Sequence, residues 1–549
     1  MLKLATLIEN PGEPGVESQY HDPQTLKALG YNAQVLYGTT ALSGIESADV
    51  IDDPELRRWV QQTDDRLGHE AAAAVDAGLD VYLFYDVLAL PKSVVARGGR
   101  RLTCRRRDDV LCPGSAEAWE LALKGCEAML KRRPEAGGVV LRFGDTDAHR
   151  LPHLVGNDLF TPHCPRCGEL GRADRIVDAV TRFHELVVNR LGKRLIVRAW
   201  NLRPGGMHDH AELAGRIADR LPGEPGDDRL VLSFKFTETD FWRYQRWNPA
   251  SLKFGDRPIV YELQCQREFE GKGGIPDWQP PLWRDGPPEM DGEGAVHGLN
   301  DAAQRVNLAG VWAWVRGGGW GGPFVTDETW IDANVFAAPK LADDPETDLD
   351  ALAETWVTQR LHLEEPATVA AVCDVLKASP EIARQAFYVE PFARGKRDPW
   401  HPAADWLQDD VLDVRAAWRI MQRLSDDDVE RAVAEKRAAA EQTTRLRTRL
   451  QRLWDDRGHN RLEPMVNSLM YAESLFETLR DLLSGLAAYR QHRQNPSPAS
   501  ADHTRKKLFE AQSHWNHHTQ RFASRPGAAS AFREQGFWEL TEQVMTDLG

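Results

Sequence analysis

The stretch Leu230-Val-Leu-Ser-Phe-Lys-Phe236 is a short apolar run, and acidic residues follow it at Glu238 and Asp240. Apolar runs of about four to eight residues are typical of strands that are buried on both faces. A second run, Pro258–Leu263, is also followed by a carboxylate, at Glu268. Both segments therefore predict a buried strand that ends beside an acidic group.

The same pattern repeats along residues 1–340, where short apolar runs alternate with helical segments such as Pro54–Ala77, Ala116–Arg133 and Arg172–Leu191. The apolar runs are Leu2–Ile8, Ala33–Tyr37, Asp80–Tyr85, Gly138–Phe143, Arg194–Trp200, Leu230–Phe236, Pro258–Leu263 and Gly310–Val315. Eight repeats of a strand and a helix predict an α/β fold, the (β/α)8 TIM barrel. A doubly wound open sheet is the alternative, but it rarely needs eight such units.

After Pro339 the pattern becomes helical only. Three long helices are predicted, at Val429–Trp454, at Pro464–Tyr489 and from Ala501 to Phe522. Their apolar faces predict a helical bundle and allow a homodimer through the C-terminal helices. The sequence thus predicts two domains, a catalytic barrel at 1–340 and a helical C-terminal domain at 341–549.

The composition is that of a globular protein with an acidic balance. The 549 residues include 83 acidic and 68 basic side chains, which gives a net charge of −15. This charge argues against nucleic acid or an anionic membrane as a partner. The apolar run among the first residues is too short for a signal peptide, and no apolar run approaches the length of a membrane span. A cytoplasmic location is therefore expected. No cofactor is expected, because the one G-x-G-x-x-G match, Gly317–Gly322, is followed by Pro323-Phe-Val instead of a helix.

Barrel enzymes carry their chemistry at the carboxyl ends of the strands. Asp240 and Glu268 follow the sixth and seventh runs and have aromatic residues next to them. Two carboxylates over aromatic rings can deprotonate water and stabilise a sugar cation. The other strand ends supply candidate groups for binding an anionic sugar: Glu9, Arg142, Arg198, Trp200, Asn201, Lys235, Trp312, Trp314 and Arg316.

The pairing of Lys235-x4-Asp240-Phe with Glu262-x-Gln-x3-Glu268-Phe-x-Gly resembles the α-glucuronidases of glycoside hydrolase family 67. The two acidic residues are separated by 268 − 240 = 28 positions, as in that family. The similarity continues into Thr326-Asp-Glu-Thr-Trp330. The extra N-terminal domain of the family has no counterpart here, so the chain is expected to be a distant relative.

The resemblance implies an inverting site in which Asp240 and Glu268 activate a water molecule. It also implies that Lys235, Arg198 and Arg142 lie around the carboxylate of the substrate, although the family has a lysine at the position of Arg142. Three cations can compensate one anionic group, and arginine binds a carboxylate through two parallel hydrogen bonds. The substrate implied is an oligosaccharide that carries a uronic acid.

The sequence departs from the family at the general acid. The family has a glutamate four residues beyond its lysine, where this chain has Thr146. Asp145 and Asp147 flank that position, and either can take the role of the acid after a shift of one residue. Asp145 is favoured because Gly144 gives the turn freedom. An inverting enzyme needs about 6.5–9.5 Å between its acid and its base, whereas about 5–5.5 Å gives retention.

Four of the seven cysteines lie in neighbouring loops. Cys104 and Cys112 follow the third apolar run, and Cys164 and Cys167 follow the fourth. Four thiolates from adjacent loops can hold a structural zinc ion, although the gap between the first two is longer than usual. The preferred interpretation is four reduced thiols that pack long loops, so no metal is assigned and zinc is the alternative. His208 is expected at the surface rather than in a metal site.

The function that these patterns indicate is an exo-acting glycoside hydrolase that releases a uronic acid during polysaccharide degradation. Two alternatives remain open. One is a glycosidase that acts on another sugar, such as a hexosaminidase or an enzyme for neutral glycosides. The other is a non-catalytic carbohydrate-binding relative, because the strand-four glutamate is missing.

Overall fold

The computed structural model describes residues 1–549 apart from 9–16, 45–51, 105–106, 145, 147, 149–150, 201–204, 222–226, 293, 295, 318–325, 396–405, 409–410, 459, 523–532 and 549. The first part of the chain folds into a closed barrel of eight parallel strands with helices outside it. The predicted (β/α)8 barrel is therefore confirmed, and the open doubly wound sheet is excluded.

The strands follow one another around the barrel in chain order, and the eighth closes onto the first. Each is buried over most of its length, as the continuous apolar runs predicted. Their bounds are β1 Leu2–Ile8, β2 Ala33–Leu36, β3 Asp80–Asp86, β4 Ala136–Arg142, β5 Arg194–Arg198, β6 Leu230–Lys235, β7 Ile259–Gln264 and β8 Leu308–Gly317.

Two glycines allow β8 to close against β1. Gly310 pairs with Leu2, and Gly317 pairs with Ile8. A Cβ atom at Gly310 would lie 1.8 Å from the carbonyl oxygen of Leu2, and one at Gly317 would lie 1.9 Å from that of Ile8. No side chain fits at such a distance, so the seam requires glycine at both positions.

Helices cover the outside of the barrel and occupy its loops. The predicted helix from Arg172 to Leu191 is α-helical only to His184 and continues as a turn of π-helix over Glu185–Arg190. The helices are α1 Pro23–Leu29, α2 Pro54–Asp76, α3 Lys92–Gly98, α4 Ala116–Arg132, α5 Pro165–Gly168, α6 Arg172–His184, α7 Ala211–Arg220, α8 Pro280–Asp285, α9 Gly298–Arg305 and α10 Thr329–Asp343.

The second part of the chain is almost entirely helical. Its helices are α11 Leu349–Gln359, α12 Pro366–Phe387, α13 Glu390–Gly395, α14 Val414–Arg423, α15 Asp426–Arg457, α16 Leu462–Gln494, α17 Pro498–Phe522 and α18 Phe537–Asp547. The three predicted long helices correspond to α15, α16 and α17. The predicted domain boundary at 340/341 falls inside α10, and the division into two domains stays a prediction.

A buried polar network joins the barrel to the helical region. Arg267, in the loop after β7, bonds Glu270 at 3.0 Å and lies 3.7 Å from Asp277. Tyr388, just after α12, donates its hydroxyl proton to Glu270. All four side chains are buried. Burial, with the neighbouring charge of Glu270, raises the pKa of Asp277 to about 7.

Two further contacts secure the same interface. Arg243, after β6, binds Glu289 through both carboxylate oxygens and donates to the carbonyl of Pro380 in α12 at 2.9 Å. The indole of Trp330 donates to Ser468 of α16 at 2.9 Å. The loops after β6 and β7 are thus held from the outside by the helical region.

Three exposed large apolar side chains, Phe509, Trp538 and Met545, lie on α17 and α18. They are compatible with the predicted homodimer, which stays a prediction. Within the described residues, no helix combines the length and the apolar character needed to cross a bilayer.

Candidate active site

Asp240 lies in a tight turn that follows β6. The hydroxyl of Thr237 donates to the carbonyl of Asp240 and closes the turn. The carboxylate oxygen Oδ1 accepts a hydrogen bond from the ammonium of Lys235 and another, at 2.8 Å, from the backbone N–H of Phe241. No hydrogen bond from the described part of the chain reaches Oδ2. The side chain keeps 16% of its surface exposed, so water can reach it.

Glu268 is positioned by the last residue of β7. The side-chain amide of Gln264 donates to Glu268 Oε2 at 3.0 Å, and its oxygen accepts the backbone N–H of Glu268 at 3.1 Å. This two-way contact orients the loop as it leaves the strand. Glu268 is half-buried, and it therefore resembles Asp240 in keeping access to solvent.

The segments that carry these two carboxylates touch each other. Arg267 donates to the carbonyl of Phe241. The ring of Trp242 stacks on that of Phe269, with an angle of 19° between the planes. The structure therefore brings the two segments that carry the predicted water-activating residues together at one end of the barrel.

Lys235 is surrounded by aromatic rings. Its ammonium lies 3.8 Å from the ring centre of Trp200, 4.4 Å from that of Phe241 and 5.1 Å from that of Trp314. Such contacts stabilise a cation that has lost most of its water. The predicted binding residues Lys235, Trp200 and Trp314 thus form one cluster beside Asp240.

Arg198 lies deeper in the barrel and is paired with Glu262. Its Nε is 3.2 Å from both carboxylate oxygens of Glu262, and the hydroxyl of Ser233 donates to the same carboxylate at 2.9 Å. The guanidinium also lies 4.7 Å from the ring centre of Trp314. Its Nη2 is buried and has no hydrogen-bond partner among the described residues.

Glu262 is a site residue that the sequence analysis did not assign. It is completely buried in β7, where it pairs in register with Lys235 of β6, and its carboxylate reaches Arg198 of β5. The signal was present, because a glutamate inside an apolar strand needs a buried cation as its partner.

Arg142, the third predicted cation, also has an internal partner. Its Nε binds Asp86 at 2.6 Å, and its Nη1 donates to the hydroxyl of Tyr37 at 2.7 Å. Asp86 is buried and accepts the backbone N–H of Ala148 at 3.0 Å as well. These contacts tie the start of the loop after β4 to the end of β3.

Residues from β8 complete the interior. The rings of Trp312 and Phe84 meet edge to face, with 5.8 Å between their centres. Arg316 is almost fully buried, donates to Gln266 at 2.8 Å and lies 3.0 Å from Glu328. Burial lowers the pKa of Arg316 from its ordinary value.

The three cations predicted to bind one substrate carboxylate are therefore each bonded to a carboxylate of the protein. Lys235 pairs with Asp240, Arg198 with Glu262 and Arg142 with Asp86. The expected excess of positive charge is smaller than the sequence suggested. The candidate acids Asp145 and Asp147, and the predicted binding residues Glu9 and Asn201, lie outside the described residues.

The expectation that His208 lies at the surface is wrong. Its ring is completely buried and packs 4.8 Å from the ring of Trp200. Burial, followed by the charge of Lys235, lowers the pKa of His208 well below its ordinary value. The ring is thus a neutral support behind Trp200. A histidine in a polar stretch gave no sign of this packing.

The four loop cysteines converge in a cluster of their own. Cys104, Cys112, Cys164 and Cys167 are all buried, and their sulfur atoms lie within 4.8 Å of one another. This is the group in the described part of the chain with the geometry to hold a metal ion.

A comparison with protein-family models finds no match to this sequence, and a comparison with curated proteins finds none. Among solved structures, the chain is similar in fold to a GH138 enzyme targeting pectin rhamnogalacturonan II. The TM-score is 0.58 at 10% identity, over 100% of this chain and 82% of that one. A mutant O-GlcNAc hydrolase from Thermobaculum terrenum gives a TM-score of 0.43 at 10% identity, over 100% of this chain and 94% of that one. The fold is thus one that a glycoside hydrolase also adopts.

Proposed function

We propose that this chain is a glycoside hydrolase in which Asp240 and Glu268 activate the attacking water. The observation that carries the proposal is that two partly exposed carboxylates stand on contacting segments at the carboxyl ends of β6 and β7. Oδ2 of Asp240 is available to accept a hydrogen bond from water. The rings of Trp200 and Trp314 beside it offer flat apolar surfaces of the kind on which a sugar can stack.

The proposed catalysis needs an acid on the other side of the sugar. The loop after β4 is the source, and Asp145 or Asp147 is the proposed proton donor to the glycosidic oxygen. Because Arg142 is fixed by Asp86 and Tyr37, the start of this loop is held at the barrel mouth. With the acid and the base on opposite faces of the sugar, the anomeric carbon inverts its configuration.

The finer proposal is an exo-acting enzyme that releases a uronic acid, as an α-glucuronidase does. Its support is the Nη2 of Arg198, a buried donor that has no partner within the described residues. A buried donor without a partner costs free energy, and a substrate carboxylate or hydroxyl would satisfy it. The ammonium of Lys235 lies in the same aromatic cluster and would add to the attraction.

A neutral sugar is the second candidate, and the pairing of the cations favours it. Lys235, Arg198 and Arg142 each neutralise an internal carboxylate, so a charged substrate gains less from them. The two candidates share the residues that activate water and differ in the group on the sugar.

A panel of substrates tests both levels of the proposal. Purified protein is incubated with aryl and oligosaccharide α-glucuronides, with the matching α-glucosides and with N-acetylhexosaminides. Proton NMR then identifies the anomer that is released first. A β-anomer released from an α-linked glucuronide supports an inverting uronidase, whereas a preference for glucosides supports the neutral candidate. Binding without any hydrolysis across the panel would contradict the proposed activity.

Matched variants test the assignment of the residues. Glu268→Ala and Asp240→Ala are expected to abolish release of the sugar, because each removes a group that activates water. Glu238→Gln is the control, since Glu238 lies two residues from Asp240 but pairs with Arg246 instead. Normal turnover in both alanine variants would overturn the assignment, and so would a similar loss in the control.

A further inference from the structure

The four buried cysteines come from two loops that are far apart in sequence. Cys104 lies in the hairpin formed by Thr103–Cys104 and Arg107–Leu111, and Cys112 follows it directly. Cys164 precedes the single turn of α5, which contains Cys167. The first pair belongs to the loop after β3 and the second to the loop after β4. Folding therefore brings two pairs of thiols together across more than 50 positions, as the Cys112–Cys164 separation of 52 shows.

The distances between the sulfur atoms have the values of a tetrahedral site. Cys112 and Cys164 are 3.6 Å apart, Cys164 and Cys167 are 3.6 Å apart, and Cys104 and Cys167 are 3.8 Å apart. Four thiolates at about 2.3 Å from a zinc ion lie about 3.8 Å from one another, which is the edge of that tetrahedron. A disulfide would need about 2.05 Å. The arrangement is therefore that of four ligands around one centre.

Three groups donate hydrogen bonds to the sulfur atoms, and two carbonyl oxygens also lie near them, that of Leu111 at 3.7 Å from Cys104 Sγ and that of Cys164 at 3.3 Å from Cys167 Sγ. The backbone N–H groups of His163 and Cys164 point to Cys167 Sγ at 3.3 and 3.4 Å. The guanidinium of Arg166 donates from Nε to Cys112 Sγ at 3.2 Å. Four thiolates around a divalent ion keep two negative charges, and N–H groups with a guanidinium compensate them. Buried neutral thiols, which pack as small apolar side chains, need no such donors.

The shell behind the cysteines is rigid. Arg175 of α6 is buried and donates to the carbonyls of Leu159, Phe160 and Cys167, at 2.8, 2.9 and 3.2 Å. The amide of Asn157 donates to the carbonyl of Leu111 at 2.7 Å, which connects the two loops next to the cluster. Such a fixed shell holds ligands in position before the metal arrives.

We propose that Cys104, Cys112, Cys164 and Cys167 bind one structural zinc ion that fastens the loop after β3 to the loop after β4. Four sulfur ligands in a tetrahedron select zinc or iron among the common metals, and a buried site with four protein ligands leaves no position for substrate. Binding converts four thiols into thiolates, so their protons are released to solvent as Zn²⁺ enters.

The consequence for the barrel mouth follows from the path of the second loop. That loop begins at Arg142, which is bonded to Asp86, and returns to the barrel rim as the strand Leu154–Gly156 paired with Ala89–Pro91. It then reaches the cysteines. The zinc ion would thus fix the loop after β4 at Cys164 and Cys167, in the same segment of sequence that includes Asp145 and Asp147.

Metal analysis of the full-length protein tests the proposal. Protein is produced with zinc in the medium and dialysed extensively. Inductively coupled plasma mass spectrometry is then expected to find one zinc ion per chain. Cys104→Ser and Cys167→Ser are expected to lose it. Cys373→Ser is the matched control, because Cys373 lies on α12 outside the cluster, and it should retain the metal. Zinc retained by both cluster variants would overturn the proposal.

Cobalt supplies a test that does not depend on whether the variants fold. Metal-free wild-type protein titrated with Co²⁺ should develop the thiolate-to-cobalt charge-transfer band and the visible bands of tetrahedral cobalt, saturating at one equivalent. After displacement of the metal and unfolding, all seven cysteines should titrate as thiols. The absence of the cobalt bands, a native protein that holds iron in place of zinc, or a count of five or three thiols from disulfides would each overturn the zinc site.

Discussion

Two carboxylates that stand two residues apart in the loop after β7 lie in opposite environments. Glu268 is half-buried and contacts an uncharged amide, that of Gln264. Glu270 is completely buried and is bonded to Arg267 and Tyr388. The first faces the barrel mouth, and the second faces the helical region. The contrast is one of burial: a carboxylate that is sealed from solvent holds the protein together, whereas solvent access marks one that is available for chemistry.

The largest effect is expected from Glu268→Gln compared with Glu270→Gln. Loss of a group that acts as an acid or base reduces kcat by about 10²- to 10⁴-fold, and Glu268→Gln should show this with little change in the free energy of unfolding. Glu270→Gln should show the reverse, a loss of stability with kcat of the folded protein nearly unchanged. Steady-state kinetics and urea unfolding measure the two quantities. Similar changes in kcat and in the free energy of unfolding for the two variants would contradict these separate roles of Glu268 and Glu270.

The next effect is expected from Arg267→Met. This change leaves Glu270 and Asp277 buried without their cation, and breaking a buried ion pair from one side costs about 3–5 kcal/mol. Arg305→Met is the control, because Arg305 pairs with Asp301 at the exposed surface of α9, where the cost is about 0–1 kcal/mol. Urea unfolding monitored by tryptophan fluorescence gives both values. An equal loss in the free energy of unfolding for the two variants would show that burial does not determine the cost of breaking an ion pair.

The smallest effect, measured per pH unit, concerns Asp277. Its pKa in the folded protein is raised to about 7, chiefly by burial, while an unfolded aspartate has an ordinary value of about 3.9. The folded state therefore binds the extra proton, and the stability it contributes is full below pH ~4 and is lost as the pH rises towards 7. The slope is at most about 1.4 kcal/mol per pH unit.

Asp277→Asn isolates this contribution, since an amide does not titrate. The free energy of unfolding of the wild type, relative to that of Asp277→Asn, should fall between pH 4 and pH 7. Urea unfolding at several pH values provides the difference. A difference that stays flat, or one that rises with pH, would mean that Asp277 is ionised in the folded protein.

The sequence was sufficient for the barrel because each strand is a continuous apolar run, and that pattern does not depend on distant residues. It also led to the prediction of Asp240 and Glu268 as site residues, because a carboxylate just after a buried strand is a local feature. The partners of the cations could not be predicted in the same way. The bond between Arg198 and Glu262 crosses from β5 to β7, and only the closure of the barrel brings the two side chains together.

The helical region shows the same limit, that contacts between residues distant in sequence could not be predicted. Its long helices could be predicted from their periodicity, whereas the contact of Tyr388 with Glu270 spans 118 positions and has no local signal. His208 was misassigned for a related reason, because its burial depends on Trp200 and Lys235 around it. The cysteines lie between these cases, since the sequence left a zinc site and four reduced thiols as alternatives, and the folded loops bring the sulfur atoms together.

The seam between β1 and β8 has a consequence for synthesis of the protein on the ribosome. Leu2 emerges well before its partner Gly310, which follows some 300 positions later. At about 5–20 residues per second, β1 waits for roughly 15–60 seconds with one edge uncovered. An uncovered edge invites pairing with other chains. Newly made protein is thus most exposed to aggregation, and most in need of chaperones, before the eighth strand arrives.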